Sequence, residues 1–173
     1  DAAYTLQPGR KAFPYRRMAV GSNREQALHL LSSAGQDALQ THRVTELKRS
    51  LVYIFSGQGS QYVNMGLDLY NQEPLFREEM DRCFQILESL CDVNIKDILY
   101  PPGERPPDLK EKIARYGGPI TLIFEYSMAK LLMKWGLAPH AMIGYSFGEY
   151  TAACLAGVFS LDDVLKLALR RSR

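Results

Sequence analysis

Cysteine is scarce in this 173-residue chain, and its three residues, Cys83, Cys91 and Cys154, are an odd set that cannot all pair with one another. Cys83 and Cys91 lie eight positions apart in what reads as one helix, roughly 12 Å along its axis, too far for a disulfide. A disulfide framework is excluded, and a reduced, cytoplasmic protein is expected. An excess of one charge is also lacking: 21 Lys plus Arg stand against 19 Asp plus Glu, a formal net charge of +2. Nucleic acid and anionic membranes both require a basic field concentrated on one face, so neither is an expected partner. The short basic groups at Arg16, Arg17 and at Arg170, Arg171, Arg173 read as solvated edges. Long apolar runs are missing, because the most apolar stretch, 120–138, is broken by Glu125, Lys130 and Lys134. The N-terminus lacks the charged-then-apolar build of a signal peptide. There is no internal repeat and no low-complexity tract. Histidine is limited to His29, His42 and His140, and no metal is expected.

What is present suits a globular protein: 46% hydrophobic and 23% charged residues, enough for one medium domain or a domain with a small appendage. The opening has a turn signal at Gln7-Pro8-Gly9, an extended candidate over 15–20 and a helical pattern through Glu25, Ala27, Leu28 and Leu31. From 32 to 50 the apolar residues thin out as in a linker, which places a boundary near Arg49 and divides the chain into 1–49 and 50–173. Leu51-Val52-Tyr53-Ile54-Phe55 then reads as a strand buried on both faces, as in a parallel sheet. Helical segments follow over 74–90, a Pro-rich loop over 100–108, and a long apolar helix from Pro119 to Trp135, closed by Gly136. A second strand, 140–144, runs into a helix through Ala153 and Leu155. Ser160 with Asp163 reads as a capping box opening one more helix. Strands alternating with helices predict an α/β fold, a parallel sheet flanked by helices, with a small α+β piece at the N-terminus.

The strongest chemical signal is Gly144-Tyr145-Ser146-Phe147-Gly148, a G-x-S-x-G between an apolar strand and a helix. That context predicts a nucleophile elbow, with Ser146 on a sharp turn, Gly144 and Gly148 allowing close backbone approach, and helical N–H groups aimed at a developing oxyanion. The alternative is a serine that merely caps the helix. Gly57-Gln58-Gly59-Ser60-Gln61 follows the first strand and opens on the same carboxyl edge of the sheet, where its N–H groups can supply a second oxyanion donor or simply form a turn. The phosphate-binding G-x-x-x-x-G-K-[ST] pattern is missing. A serine nucleophile needs a base, usually an imidazole. His140 lies about 20 Å back along an extended segment, and His29 and His42 belong to the opening piece and linker.

Together these residues resemble the malonyl-CoA:acyl-carrier-protein acyltransferase family, specifically the acyltransferase domain of modular polyketide synthases. Phe55-Ser56-Gly57-Gln58-Gly59-Ser60-Gln61 with Met65-Gly66 resembles the family's opening G-Q-G-[SA]-Q motif. Residues 143–150 with Ala152-Ala153 and 156–161 resemble its G-H-S-x-G-E block and the helix after it. Residues 3–7 with Gly9-Arg10 and Arg16-Arg17 are similar to the end of the linker from a ketosynthase to its acyltransferase. The resemblance implies that Ser146 carries the acyl group, that the backbone N–H groups of Gln58 and Phe147 form the oxyanion hole, and that Arg171 pairs with the free carboxylate of a malonyl unit. Without the family, Arg171 reads as a helix-end cation.

The implied reaction moves a malonyl-type unit from coenzyme A through a serine ester to the phosphopantetheine thiol of an acyl carrier protein, with no resident cofactor and a ketosynthase domain as a further partner. The sequence departs from the pattern at Tyr145, where histidine is usual, and at Gly118, where glutamine is usual. Phe147 replaces the glutamine of methylmalonyl-selective domains and leans toward malonyl. The family's catalytic histidine and small subdomain are expected downstream of Arg173, so this chain is expected to be an incomplete large subdomain that turns over poorly alone. Two alternatives are a non-catalytic docking or structural remnant of such a domain, and a serine esterase of α/β-hydrolase type, which leaves the 57–61 loop unexplained.

Overall fold

The computed structural model describes residues 2–6, 9–11, 13–32, 39–45 and 49–172; Gln7, Pro8 and Arg173 lie outside them. The chain divides into two compact units, Asp1–Arg49 and Ser50–Arg173. The first contains α1 (Ala2–Leu6), β1 (Tyr15–Met18), α2 (Arg24–Leu31) and β2 (Gln40–Arg43), with β1 and β2 antiparallel and Tyr15 opposite Arg43. Asn23 caps α2 by accepting the Gln26 N–H at 2.8 Å. β2 corrects the reading of 32–50 as linker throughout. Its sequence, Gln-Thr-His-Arg, has no apolar alternation, and it is a strand because its backbone pairs with β1, aided by Arg17 Nε donating to Thr41 Oγ1 at 3.0 Å.

The second unit runs β3 (Val52–Phe55), α3 (Leu67–Gln72), α4 (Pro74–Glu88), α5 (Ile95–Leu99), α6 (Leu109–Arg115), α7 (Gly117–Lys134), β4 (Ala141–Gly144), α8 (Gly148–Leu155) and α9 (Leu161–Arg171). In α4, Phe76, Met80, Cys83, Phe84 and Leu87 recur at helical spacing and are buried as one stripe. They join Ile120, Leu122 and Ile123 of α7 and Val164, Leu165, Ala168 and Leu169 of α9 in a single core. Helix α4 ends at Glu88, so Cys91 lies beyond it, which corrects the one-helix reading; all three cysteines are free. Helix α7 is apolar on nearly every side because other helices surround it, and Gly136, at φ 87°, follows its end in the left-handed conformation. Ser160 caps α9, its hydroxyl accepting the Asp163 N–H at 3.1 Å.

β3 and β4 are parallel neighbours, with Val52 opposite Ala141 and Phe55 opposite Gly144. The expectation of a strand buried on both faces fails. Phe55 is buried, but Ile54 is 78% exposed and the opposed Ile143 58% exposed. The described sheet has two strands and its helices cover one face, so alternate residues of an all-apolar strand face outward. Among the described residues no helix is long and apolar enough to cross a membrane.

Candidate active site

The β3–β4 ladder ends at Phe55 and Gly144, and the Tyr145 N–H makes one more bond to Phe55 O at 2.9 Å. The chain then reverses sharply. Ser146 takes φ 53°, a left-handed conformation that a non-glycine residue adopts at a cost, and α8 begins two residues later. Both flanking glycines are required by close backbone approach. A Cβ on Gly144 would stand 2.1 Å from Glu149 N, and one on Gly148 2.4 Å from Phe55 O. Ser146 is exposed, and among the described residues its hydroxyl has no hydrogen-bond partner.

The loop after β3 meets this turn directly. A Cβ on Gly57 would lie 3.3 Å from Ser146 Cβ and 3.0 Å from Tyr145 O. Covalent geometry then puts the Gln58 N–H within about 7 Å of Ser146 Cβ. The side chains of the loop point to α6. Gln58 Nε2 donates to Ala114 O at 3.0 Å, Gln61 Nε2 donates to Ile113 O at 3.2 Å, and Gln61 Oε1 accepts the Gly59 N–H at 2.7 Å. Gly59 has φ 119°, which a side chain would strain. With its side chain anchored, Gln58 keeps a backbone N–H that is unpaired among the described residues, as is that of Phe147. Loop and turn thus bring two free donors to the neighbourhood of one hydroxyl.

Arg171, in the last turn of α9, is exposed yet held. Its guanidinium donates through Nη1 to the Tyr150 hydroxyl at 2.5 Å and lies over the rings of Phe147 and Tyr150, 5.3 and 5.5 Å from their centroids. It therefore stands on the residue next to Ser146. Arg170 points elsewhere, lining a groove with Leu90, Lys166 and Leu169. Two departures from the expected motifs explain one another here. A Cβ on Gly118 would stand 2.4 to 2.9 Å from atoms of the Phe147 ring, so the ring fills the space that a longer side chain at 118 would take.

Sequence reasoning missed Glu125, which showed only as a charge interrupting an apolar stretch. Its Oε1 accepts from Ser56 N at 2.6 Å and Ser56 Oγ at 2.8 Å, and its Oε2 from Thr151 Oγ1 at 3.0 Å. Burial pushes its pKa up, and the bonds from Ser56 and Thr151 pull it back down. Among the histidines, His140 immediately precedes β4 at the end remote from Ser146, its backbone N–H bonded to Leu51 O at 2.7 Å. Among the described residues no His, Cys, Asp and Glu cluster suits a metal ion.

Comparison with known proteins bears on this arrangement. The family model described as acyl transferase domain matches residues 52–173. A second, described as CurL-like, PKS C-terminal, matches residues 1–31. The chain is 32% identical over 173 residues to orsellinic acid synthase armB of Armillaria mellea, covering 100% of this chain and 8% of that protein. Among solved structures it is similar to the acyl transferase domain of ZmaA, at 51% identity and a TM-score of 0.91, covering 99% of this chain and 40% of that one. It is also similar to the acyl transferase domain of SpnD in complex with 2-(pent-4-yn-1-yl)malonyl, at 29% identity and a TM-score of 0.80, again covering 99% and 40%. The chain thus spans under half the length of each of these three proteins.

Proposed function

The chain belongs to the acyl transferase domain family, and from that premise we propose that it carries the nucleophile, oxyanion donors and carboxylate partner of a polyketide synthase acyltransferase acting on a malonyl-type unit. The Ser146 oxygen attacks the thioester carbonyl of malonyl-CoA, and the oxyanion of the tetrahedral intermediate is received by the N–H groups of Gln58 and Phe147. Coenzyme A leaves as the thiol. The serine ester is then attacked by the phosphopantetheine thiol of an acyl carrier protein, which restores the Ser146 hydroxyl. Coenzyme A and the carrier's arm are co-substrates, so no resident cofactor takes part. The proton of Ser146 passes to a base outside 50–172, a segment whose only histidine is the remote His140.

The observation that carries this reading is the left-handed turn at Ser146, pressed against Gly57, with Arg171 resting on the next side chain. A planar, permanently charged fork suits the free carboxylate of a malonyl unit, and the SpnD acyltransferase is known with a malonyl-type ligand. A serine esterase would use the turn but has no need of Arg171. The experiment is intact-mass measurement of the full-length acyltransferase-containing protein after brief exposure to malonyl-CoA. One malonyl adduct, lost in Ser146→Ala, is expected. An adduct that survives that substitution, or no adduct in the wild type, overturns the reading.

A further inference from the structure

We infer that Glu125 is a positioning residue whose half-buried carboxyl group fixes the separation of the two oxyanion donors; the inference rests on the assignment of Gln58 and Phe147 made above. The backbone ladder joins β3 to β4 only as far as Phe55 and Gly144, with a last bond from the Tyr145 N–H. Beyond that point the loop toward Gln58 and the turn toward Phe147 share no ladder bond, and both donors lie in those segments. Glu125 reaches the gap from α7. One of its oxygens holds the backbone and hydroxyl of Ser56, two residues before Gln58, and the other holds the hydroxyl of Thr151, one turn into the helix that Phe147 opens. Thr151 is fully buried, so its hydroxyl depends on this acceptor. Ser56 Oγ also lies 3.1 Å from Ser60 Oγ, which carries the restraint into the rest of the loop.

The chemistry of the brace asks for two divergent polar atoms on one rigid plane. A carboxyl group supplies them. An amide supplies them too, since its oxygen can accept from Ser56 while its NH₂ donates to the Thr151 oxygen, whose proton then turns away. An alkyl side chain supplies neither: it releases the exposed Ser56 N–H and hydroxyl to water and leaves the buried Thr151 hydroxyl without its acceptor. Because the oxyanion is common to every acyl group, slackening the brace slows attack for all of them and leaves recognition of the acyl chain alone.

The test uses the full-length acyltransferase-containing protein, with the rate and KM of Ser146 acylation measured for malonyl-CoA and acetyl-CoA. Glu125→Leu is expected to slow acylation about 10- to 100-fold, as loss or misplacement of an oxyanion donor does. The factor is expected to be the same for both acyl groups, with little change in KM and restoration to within a few-fold in Glu125→Gln. Thr151→Val, nearly isosteric, is expected to show the same pattern more weakly and keeps the test decisive where Glu125→Leu fails to fold. A folded Leu or Val variant that acylates at the wild-type rate overturns the inference alone, as does a loss confined to KM or to malonyl, or a Gln variant as slow as Leu. An unlabelled wild type, or labelling that persists in Ser146→Ala, overturns the nucleophile assignment and the inference with it.

Discussion

Arg171 is an exposed cation denied the freedom of one, because two rings and a phenol hydroxyl fix where its remaining N–H groups point. Losing a charge-assisted pair costs on the order of 1.5 to 3 kcal/mol, a factor of about 10 to 150. Arg171→Ala is therefore expected to reduce malonyl transfer by about that factor while acetyl transfer, with no carboxylate to hold, falls far less. Equal losses would leave Arg171 a helix-end cation. Tyr150→Phe keeps the ring and removes the hydroxyl, so a smaller, still malonyl-selective loss is expected. Glu125 adds a pH signature. Its pKa in the folded protein lies above the ordinary 4.5, chiefly through desolvation, so folding favours its protonated form. That contribution is complete below about pH 4.5 and is lost as the pH rises through the raised value. Thermal melting of wild type and Glu125→Gln from pH 4 to 8 should show the wild type losing ground as pH rises; parallel curves would refute it.

At the scale of the element, the close fit of α7 against the start of α8 sets which side chains are allowed. Gly118→Ala drives a methyl group into the Phe147 ring at 2.4 Å, an overpacking expected to cost about 1 to 3 kcal/mol and to dislodge the ring from Arg171. Chemical denaturation of Gly118→Ala, Phe147→Ala and the double variant checks it: strong coupling is expected, and additive effects would mean that the ring moves aside freely. This is also where sequence legibility ends. Ser160 with Asp163 announced a helix start because capping is local chemistry, and Gly144 to Gly148 announced a turn because strand, glycine and helix signals are contiguous. Gly118 showed only as a departure, since its reason is a ring 29 positions away in sequence. β2 was hidden because pairing, not composition, makes it a strand, and the outward face of Ile54 was hidden because an apolar run does not say which sides will be covered.

For the whole molecule, the two units differ in what shields their backbone. In Ser50–Arg173, residues such as Phe76, Met80, Leu87, Ile120, Ile123 and Leu165 are wholly enclosed, and opening α4, α7 or α9 exposes a core shared by all three. In Asp1–Arg49 none of the residues whose exposure is described is buried, and Tyr15–Met18 of β1, Thr41–Arg43 of β2 and most of α2 stand in contact with water. Local opening there disrupts few apolar contacts, so the free energy of opening is small. Native-state hydrogen exchange is therefore expected to separate the units, with amides of β1, β2 and α2 exchanging orders of magnitude faster than those of α4, α7 and α9. Cys83 supplies an independent readout. It is completely buried and its thiol pKa is driven up by desolvation, so its alkylation requires the core to open and should follow the slow amides of α4. Alkylation of Cys83 as fast as that of the half-buried Cys91, or protection of β1 and β2 equal to that of α7, would contradict a stability concentrated in the three-helix core.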